Sequence, residues 1–360
     1  MEEGMAAGLH VGAQLTVSLH EQSVVSAATG IARPDEAMGE DTLMPWFSAT
    51  KAITAAAVLQ QWEKGRLDLE DAVARHIPAF ASNGKERVSV RHLLTHTAGL
   101  VATDDSVDEA CEAALEDGWE PGRRAAYRPR GPFAVLGEIV HRLDGRSIED
   151  YVSEELFEPL GMADSWLALS PARHAAYGRR MGAMHNTSGG NREVIAGLDA
   201  AEAFAEARPS LSGVGPMADL LRFYMMLLGK GALDGVRVLS PQTVEAMCAR
   251  HRVGLTDETF GAVVDWGLGV MVNSWHYRRK PAPYGYGNHA SSRAFGHGGS
   301  QSSIAFADPE HGLAVALVFN GMAGEAANHR RTQAVVTALY KDLGLARESR
   351  NQAHVAGGRS

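Results

Sequence analysis

The segment at residues 46–62 (WFSATKAITAAAVLQQW) constrains the fold more than any other part of the sequence. Between residues 49 and 59 the apolar side chains are so dense that a helix here is predicted to be buried rather than amphipathic. Lys51 lies one turn inside this helix. A buried charge without a partner costs several kcal/mol, so this lysine needs a structural or chemical reason.

The composition is that of an ordinary globular protein. With 360 residues, 45% hydrophobic and 21% charged, the chain can form one large domain or two closely packed ones. A formal net charge of −9 and the lack of a basic domain argue against a nucleic-acid partner. No apolar run reaches the ~18 residues that span a bilayer, and the acidic N-terminus does not resemble a secretory signal. Cys111 and Cys248 show no metal-ligand spacing, so a cytoplasmic protein without a disulfide framework is predicted.

Strand patterns occur near both ends of the chain, and helix patterns fill the middle. Residues 13–19 and 24–30 alternate around polar turn residues, which predicts a hairpin. Strands are also predicted at residues 303–307 and 313–319, and residues 351–360 look like a frayed polar tail. Helices are predicted at residues 48–64, 90–94, 133–143, 148–156, 218–228, 241–249 and 333–343.

This order of elements predicts an α+β fold. An antiparallel sheet is built from both termini and flanked by helices, with a mainly helical region inserted between the two parts of the sheet. The predicted boundaries are residues 1–75 and 285–345 for the sheet domain and residues 76–284 for the helical domain. Residues 346–360 are predicted to form a flexible tail.

Two Ser-x-x-Lys sequences occur, one from Ser48 to Lys51 and one from Ser82 to Lys85. This tetrad carries the serine nucleophile in one class of acyl-transferring enzymes. Positions i and i+3 share a helix face, so Ser48 and Lys51 can touch at the N-terminus of the helix, whereas the second copy lies in a polar loop. Desolvation would lower the pKa of Lys51 and let its amine help to remove the Ser48 proton. An N-cap serine beside a lysine that reaches the surface remains an open alternative on these residues alone.

Tyr127 is a second candidate, because it lies in an extended Pro/Gly loop just before a predicted helix. The arginines on both sides of it in sequence are expected to favour its phenolate form. A loop tyrosine among solvated arginines is the alternative. The arginines in question are Arg123, Arg124, Arg128 and Arg130.

His297 is the third candidate, in the sequence Phe-Gly-His-Gly-Gly-Ser that ends at Ser300. Two glycines after a histidine suit a strand whose backbone approaches a ligand closely. The chain has 15 histidines, so His297 gains weight only from these neighbours. His92, His96 and His185 lack metal-ligand spacing and are predicted to be structural. No metal site and no cofactor are predicted.

These three sequences, in this order, resemble the serine β-lactamase and penicillin-binding-protein superfamily. The resemblance covers roughly residues 10–345 and is greatest to the class C β-lactamase-like branch, which includes family VIII carboxylesterases, D-aminopeptidases and acyltransferases. Further matching segments are residues 93–100 (LLTHTAGL), 136–140 (LGEIV), 144–147 (DGRS), 158–162 (EPLGM), 233–235 (LDG), 239–241 (LSP) and 296–299 (GHGG).

The resemblance implies a role for each candidate. Ser48 would be the acylated nucleophile, Lys51 its proton partner and Tyr127 the base, while His297 would begin the counterpart of a Lys-Thr-Gly strand. The oxyanion hole would consist of the backbone N–H groups of Ser48 and Ser300. Substrate binding is predicted for Gly298, Gly299 and Arg128.

Two departures from the family pattern bear on the substrate. Pro129 stands where the family has an asparagine that bonds a substrate amide, and His297 stands where a lysine would bind a carboxylate. Both changes favour ester chemistry or acyl transfer over β-lactam hydrolysis.

The leading hypothesis is therefore a cytoplasmic serine hydrolase that acts on a small-molecule ester or amide, with no nucleic-acid or membrane partner. An acyltransferase that uses the same acyl-Ser48 intermediate is the first alternative. A catalytically silent relative that binds a ligand is the second. The sequence makes no prediction of the oligomeric state.

Overall fold

A large antiparallel sheet organises the fold. The computed structural model describes residues 1–101, 103–277 and 283–347. The strands of the sheet are β1 (Gly12–Leu19), β2 (Gln22–Arg33), β3 (Glu36–Ala37), β4 (Asp265–Trp266), β5 (Met271–Val272), β6 (Phe295–Gly298), β7 (Ser303–Asp308) and β8 (Leu313–Phe319). Their spatial order is β4-β5-β6-β7-β8-β1-β2-β3.

The two ends of the chain meet in the centre of this sheet. Strand β1 pairs with β8 from Ala13 opposite Phe319 to Leu19 opposite Leu313. The predicted hairpins β1–β2 and β7–β8 therefore join to form one sheet. This confirms the predicted fold class, a sheet made from both termini with helices around it.

Helices cover the sheet and fill the middle of the chain. The α-helices in the described residues are α1 (Glu2–Ala6), α2 (Thr50–Glu63), α3 (Val73–His76), α4 (Val90–Leu94), α5 (Val107–Glu112), α6 (Pro132–Asp144), α7 (Ile148–Val152), α8 (Pro171–Tyr177), α9 (Ala201–Phe204), α10 (Met217–Leu228), α11 (Pro241–Cys248) and α12 (Glu325–Asp342). Shorter strand pairs join Met44–Pro45 to Val214–Gly215, Thr256–Asp257 to Ala262–Val263, and Ala232–Leu233 to Val236–Arg237. His185–Asn186 pairs with both Gly321–Met322 and Glu193–Val194.

The unbroken apolar sequence of β8 reflects helices on both faces of the sheet. Leu313, Val315 and Leu317 pack in one hydrophobic cluster with Val336 of α12. The alternating alanines and Val318 belong to the other cluster, together with α10 and α2. Because successive side chains point to opposite faces, a strand covered on both sides can be apolar at every position.

Helix α2 is buried over almost its whole length, from Thr50 to Gln61, as its sequence predicts. Helix α12 begins at Glu325, well before the predicted start at residue 333. Its first turns bury Asn328 and Arg331, so the apolar periodicity that signals a buried helix is missing there.

Two features bear on the remaining sequence predictions. Strands β4 and β5 extend the sheet into residues 76–284, the range predicted to be mainly helical, and the division into domains remains a prediction. The predicted tail at residues 351–360 lies outside the described residues. No helix in the described part of the chain is long and apolar enough to cross a membrane.

Candidate active site

Ser48 lies in a short 3₁₀ turn directly before α2, and it lines a pocket of about 490 Å³. The preceding Phe47 has a φ of +48°, a left-handed conformation that is rare for a bulky residue and that clusters at functional sites. Two of the hydrogen bonds that hold the turn involve the side chain and the carbonyl of Trp46. The Trp46 indole N–H donates to the Gly215 carbonyl over 3.0 Å, and the Ser303 hydroxyl donates to the Trp46 carbonyl over 2.7 Å.

Lys51 is fully buried and does not reach the surface. Its Nζ lies 2.8 Å from the Pro129 carbonyl, 2.8 Å from the Ser210 carbonyl and 3.3 Å from the Ser48 hydroxyl. A carbonyl oxygen only accepts hydrogen bonds, whereas a hydroxyl can donate or accept. A neutral amine with two N–H bonds to these carbonyls therefore directs its lone pair at the Ser48 hydroxyl.

The environment of Lys51 favours this neutral form. The pKa of Lys51 is lowered to about 7, mainly by burial; the Asp105 carboxylate opposes this shift and the positive charge of Arg130 adds to it. A large share of the molecules therefore carries an uncharged Lys51 amine near neutral pH. A neutral amine beside Ser48 is therefore the chemical reason for a lysine inside this apolar helix.

Tyr127 is held firmly against the same pocket. The Asp257 carboxylate accepts its backbone N–H over 3.1 Å, and the Thr259 hydroxyl donates to its carbonyl over 3.0 Å. Its ring stacks on Phe260 with centroids 5.0 Å apart and contacts the His96 ring at 4.7 Å. The backbone and the ring are thus both fixed in the orientation that faces Ser48.

The expectation of a Tyr127 phenolate is wrong. Burial raises the pKa of Tyr127 well above its ordinary value, and its hydrogen bond with Ser48 opposes this only in part. The surrounding arginines do not lower it, because acidic partners hold their side chains. The pairs are Arg123 with Glu120, Arg124 with Glu258, Arg128 with Glu116 and Arg130 with Asp104. Tyr127 is therefore a neutral phenol that can donate a proton.

Ser48 and Ser300, predicted to form the oxyanion hole, line the same pocket. Neither backbone N–H has an acceptor among the described residues. Gln301 follows Ser300 with a φ of +49°, so a left-handed residue adjoins each of the two serines. Two free N–H groups beside a nucleophile are suited to stabilise a tetrahedral oxyanion.

His297 lies on β6 with only 2% of its surface exposed, and it lines the pocket. Its Nδ1 lies 2.8 Å from the Gly298 carbonyl, so Nδ1 carries the proton and Nε2 is the acceptor. Burial lowers the pKa of His297 to about 3, and the Lys51 charge acts in the same direction. His297 is thus a neutral acceptor and cannot replace a cationic lysine.

The structure separates the three residues predicted to bind substrate. Gly298 lines the pocket, and a Cβ there would meet the Tyr284 ring at 2.3 Å. Gly299 instead packs beneath the nucleophile turn, where a Cβ would lie 2.2 Å from the Trp46 carbonyl oxygen. The Arg128 guanidinium pairs with Glu116 and donates to the Leu100 carbonyl over 2.7 Å, so it is not among the pocket residues.

Several pocket residues escaped the sequence predictions. They carry no motif of their own and come from distant parts of the chain: Thr259, Phe260, Met271, Pro283, Tyr284, Glu325 and His329. The sequence analysis also missed Asp257. Its carboxylate pairs with Arg252 at 3.1 Å and accepts hydrogen bonds from the backbone N–H groups of Tyr127, Thr259 and Phe260. Within the described residues, no group of three or more metal-ligand side chains occurs.

Comparison with known proteins agrees with this geometry. The beta-lactamase family model matches residues 1–339. The chain is 30% identical over 344 residues to the esterase/beta-lactamase LipL of Mycobacterium tuberculosis, covering 86% of this chain and 77% of that protein. It is 29% identical over 361 residues to the esterase EstB of Burkholderia gladioli, covering 87% and 88%.

A solved structure extends the likeness to the whole fold. A penicillin-binding-protein homologue from Caulobacter crescentus superposes with a TM-score of 0.79 and 30% identity, over 94% of this chain and 95% of that one. The nucleophile turn, the buried lysine and the facing tyrosine thus stand in a chain whose sequence and fold agree along nearly their full length with that group. The protein is a member of the beta-lactamase family.

Proposed function

We propose that the protein is a serine hydrolase that cleaves carboxylic esters through an acyl-Ser48 intermediate. One observation carries the proposal, namely the Lys51 amine with two carbonyl acceptors at 2.8 Å and the Ser48 hydroxyl as its third neighbour. This arrangement supports Lys51 as the base, because only the contact to Ser48 is open to proton transfer.

In the acylation step, the Lys51 amine takes the Ser48 proton while Oγ attacks the ester carbonyl carbon. The backbone N–H groups of Ser48 and Ser300 stabilise the oxyanion that forms. As the tetrahedral intermediate collapses, the leaving alcohol takes a proton from the neutral Tyr127 phenol, which leaves a phenolate near the Lys51 ammonium. Water then attacks the acyl-enzyme by the same steps in reverse.

The pocket chemistry favours esters over β-lactams. A β-lactam or peptide substrate presents a carboxylate, and the neutral His297 offers that group an acceptor where a cation is needed. Pro129 contributes its carbonyl to Lys51 rather than a side-chain amide to the substrate. Neither residue can supply the contact that its counterpart in the family would make.

Steady-state kinetics on p-nitrophenyl butyrate and on nitrocefin test this proposal, with intact mass spectrometry to detect the acyl-enzyme. We expect kcat/KM for the ester to exceed that for nitrocefin by more than about tenfold, which corresponds to ~1.4 kcal/mol of transition-state free energy. His297→Lys is expected to narrow the gap. A β-lactam that turns over as fast as the ester, or an acyl group found elsewhere than on Ser48, would contradict the proposal.

Acyl transfer to an alcohol or amine is a second candidate, favoured by the apolar walls of the pocket. Phe260, Met271 and Pro283 line the same pocket as Ser48, and their apolar side chains disfavour water there. Adding acceptor alcohols during ester turnover tests this idea. A rise in ester product at the expense of free acid would identify transfer.

We also propose a cytoplasmic location and a small-molecule partner. Cys111 and Cys248 are free thiols, which suits a reducing compartment. Cell fractionation followed by immunoblotting tests the location. Recovery of the protein outside the cytoplasmic fraction would contradict it.

A further inference from the structure

One of the described residues that line the active-site pocket carries a carboxylate. Glu325, the first residue of α12, lines the same pocket as Ser48. The Tyr284 hydroxyl donates to its Oε2 over 2.8 Å, and His329 Nε2 lies 3.7 Å from the same oxygen. The side chain of Glu325 is 49% exposed, so its carboxylate is positioned by neighbours yet open to a ligand.

Among the described residues, no arginine or lysine forms an ion pair with this carboxylate. Burial lowers the pKa of His329, so the imidazole is mainly neutral there despite the opposing effect of Glu325. Burial also raises the pKa of Tyr284, which keeps the phenol uncharged. Among the described residues that line the pocket there is no arginine or lysine, and Lys51 lies behind Ser48 with its donors directed at carbonyls.

A second acceptor lies near the nucleophile. His297 Nε2 is buried and has no hydrogen-bond partner among the described residues, while its Nδ1 is bonded to Gly298. A buried acceptor without a partner carries a desolvation cost that a ligand N–H can remove. The polar groups of the pocket walls therefore favour a ligand that donates hydrogen bonds.

The apolar walls also suit a cation. The rings of Tyr127 and Phe260 stack, and Tyr284 lies 6.5 Å from Phe260. Aromatic faces attract ammonium groups, most strongly where water is excluded. The charge of Glu325 reaches the reaction centre, since it contributes to the raised pKa of Tyr127.

We propose that this pocket selects esters or amides that carry an ammonium group, with Glu325 as its counter-ion, the aromatic rings as its walls and His297 Nε2 as an acceptor for an N–H of the substrate. This inference rests on the proposed function, because the ligand is the molecule that Ser48 attacks. It adds the chemical class of substrate, which neither the family nor the catalytic residues specify.

Two matched pairs of substrates test the inference. One pair places the cation in the acyl group, as p-nitrophenyl aminohexanoate against p-nitrophenyl heptanoate. The other places it in the leaving group, as butyrylthiocholine against its uncharged dimethylbutyl analogue. We expect the cationic member to have the higher kcat/KM by about fivefold or more in at least one pair, a size typical of a partly exposed ion pair assisted by aromatic faces.

Two variants distinguish the effect of the Glu325 carboxylate from the effect of the overall negative charge of the chain. Glu325→Gln keeps an acceptor for Tyr284 and is expected to bring the ratio of cationic to neutral substrate close to one. Glu310→Gln removes the same charge from the exposed β7–β8 turn and is expected to keep the ratio. Measuring both at the same ionic strength controls for general attraction of cations to a chain of net charge −9.

The outcomes distinguish this inference from the proposed function. Equal kcat/KM values in both pairs, a preference that survives Glu325→Gln, or a faster reaction with an anionic hemisuccinate ester would overturn the inference. In those cases acyl-Ser48 formed from the neutral esters would leave the hydrolase proposal intact. Absence of an acyl-enzyme with every ester would instead refute the hydrolase proposal itself.

Discussion

The two Ser-x-x-Lys sequences of this chain have the same spacing, and both lysines are fully buried, yet their surroundings differ in kind. The first runs through right-handed turns into α2, so its side chains share a face and Lys51 Nζ meets Ser48 Oγ. The second passes through Asn83 and Gly84 at φ of +59° and +81°, which is not a helix. The same residue types are therefore presented in different directions.

The hydrogen-bond partners complete the contrast. Ser82 is exposed, and its hydroxyl donates to the Cys111 carbonyl over 2.7 Å. Lys85 Nζ donates to the Cys111 carbonyl over 2.9 Å and also to the Ala113 carbonyl. These contacts attach a loop to α5. A Ser-x-x-Lys sequence becomes a candidate site only where the backbone turns correctly and a third group, here Tyr127, faces the serine.

The largest expected effect concerns the two serines. Ser48→Ala is expected to abolish ester turnover and labelling by a fluorophosphonate, because among the described pocket residues no other hydroxyl has a hydrogen bond with a lysine. Ser82→Ala is expected to keep both, since its hydroxyl only supports a loop. Intact mass of each variant after labelling measures this. A fluorophosphonate label on Ser82 would contradict the assignment of Ser48 as the nucleophile.

Substitution of the lysines should separate catalysis from stability. Lys51→Met is expected to slow acylation by about 10²-fold or more while circular dichroism shows a native fold, because a general base contributes that much. Lys85→Met is expected to keep the activity of the folded enzyme but to lower Tm, since losing the Lys85 donor at the Cys111 and Ala113 carbonyls costs on the order of 1–3 kcal/mol.

These two variants can also disprove the assignment. Full activity in Lys51→Met would remove its role as a base. Unfolding of Lys51→Met, with no measurable native protein, would make it a structural lysine like Lys85.

The smallest expected effect is a shift in the pH profile. With a Lys51 pKa of about 7, kcat/KM is expected to rise as pH increases through that value and to fall at lower pH, where the amine is protonated. Asp105→Asn removes a charge that raises this pKa, so the rise should move to lower pH by a fraction of a unit. Arg130→Gln should move it to higher pH.

Glu86→Gln is the matched control at the other lysine, because Glu86 acts on the pKa of Lys85. Its profile is expected to superpose on that of the unmodified protein. A shifted pH profile of kcat/KM in Glu86→Gln would show that this pH dependence does not arise from Lys51. An unshifted profile in both Asp105→Asn and Arg130→Gln would show the same.

Much of the fold could be predicted because its signals are local. The strand patterns of the terminal hairpins and the dense apolar run of α2 each reflect burial of neighbouring residues in one element. Strands β4 and β5 were missed because two residues are too few to show alternation. The start of α12 was missed because Arg331 is buried there by bonds to carbonyls, including that of Gly321 at 2.6 Å, rather than by apolar contacts.

The candidate site also contains residues with a local sequence signal and residues without one. Ser48 and Lys51 could be paired by sequence because one helical turn separates them. The protonation of Tyr127 could not be judged, since the arginines beside it in sequence are paired in space with acidic residues from other segments. Glu325 has no motif at all, and only the packing of α12 against the pocket places it there.

The sequence by itself determined the fold class, the apolar helix around Lys51 and the identity of the nucleophile candidate, because each depends on local patterns and on their order along the chain. The tertiary structure decided what those residues can do. The carbonyls that hold Lys51 belong to Pro129 and Ser210, which lie 78 and 159 positions away in the chain. Charge state, hydrogen-bond partners and pocket polarity depend on distances between such remote segments, and those distances are set only when the helices pack on the sheet.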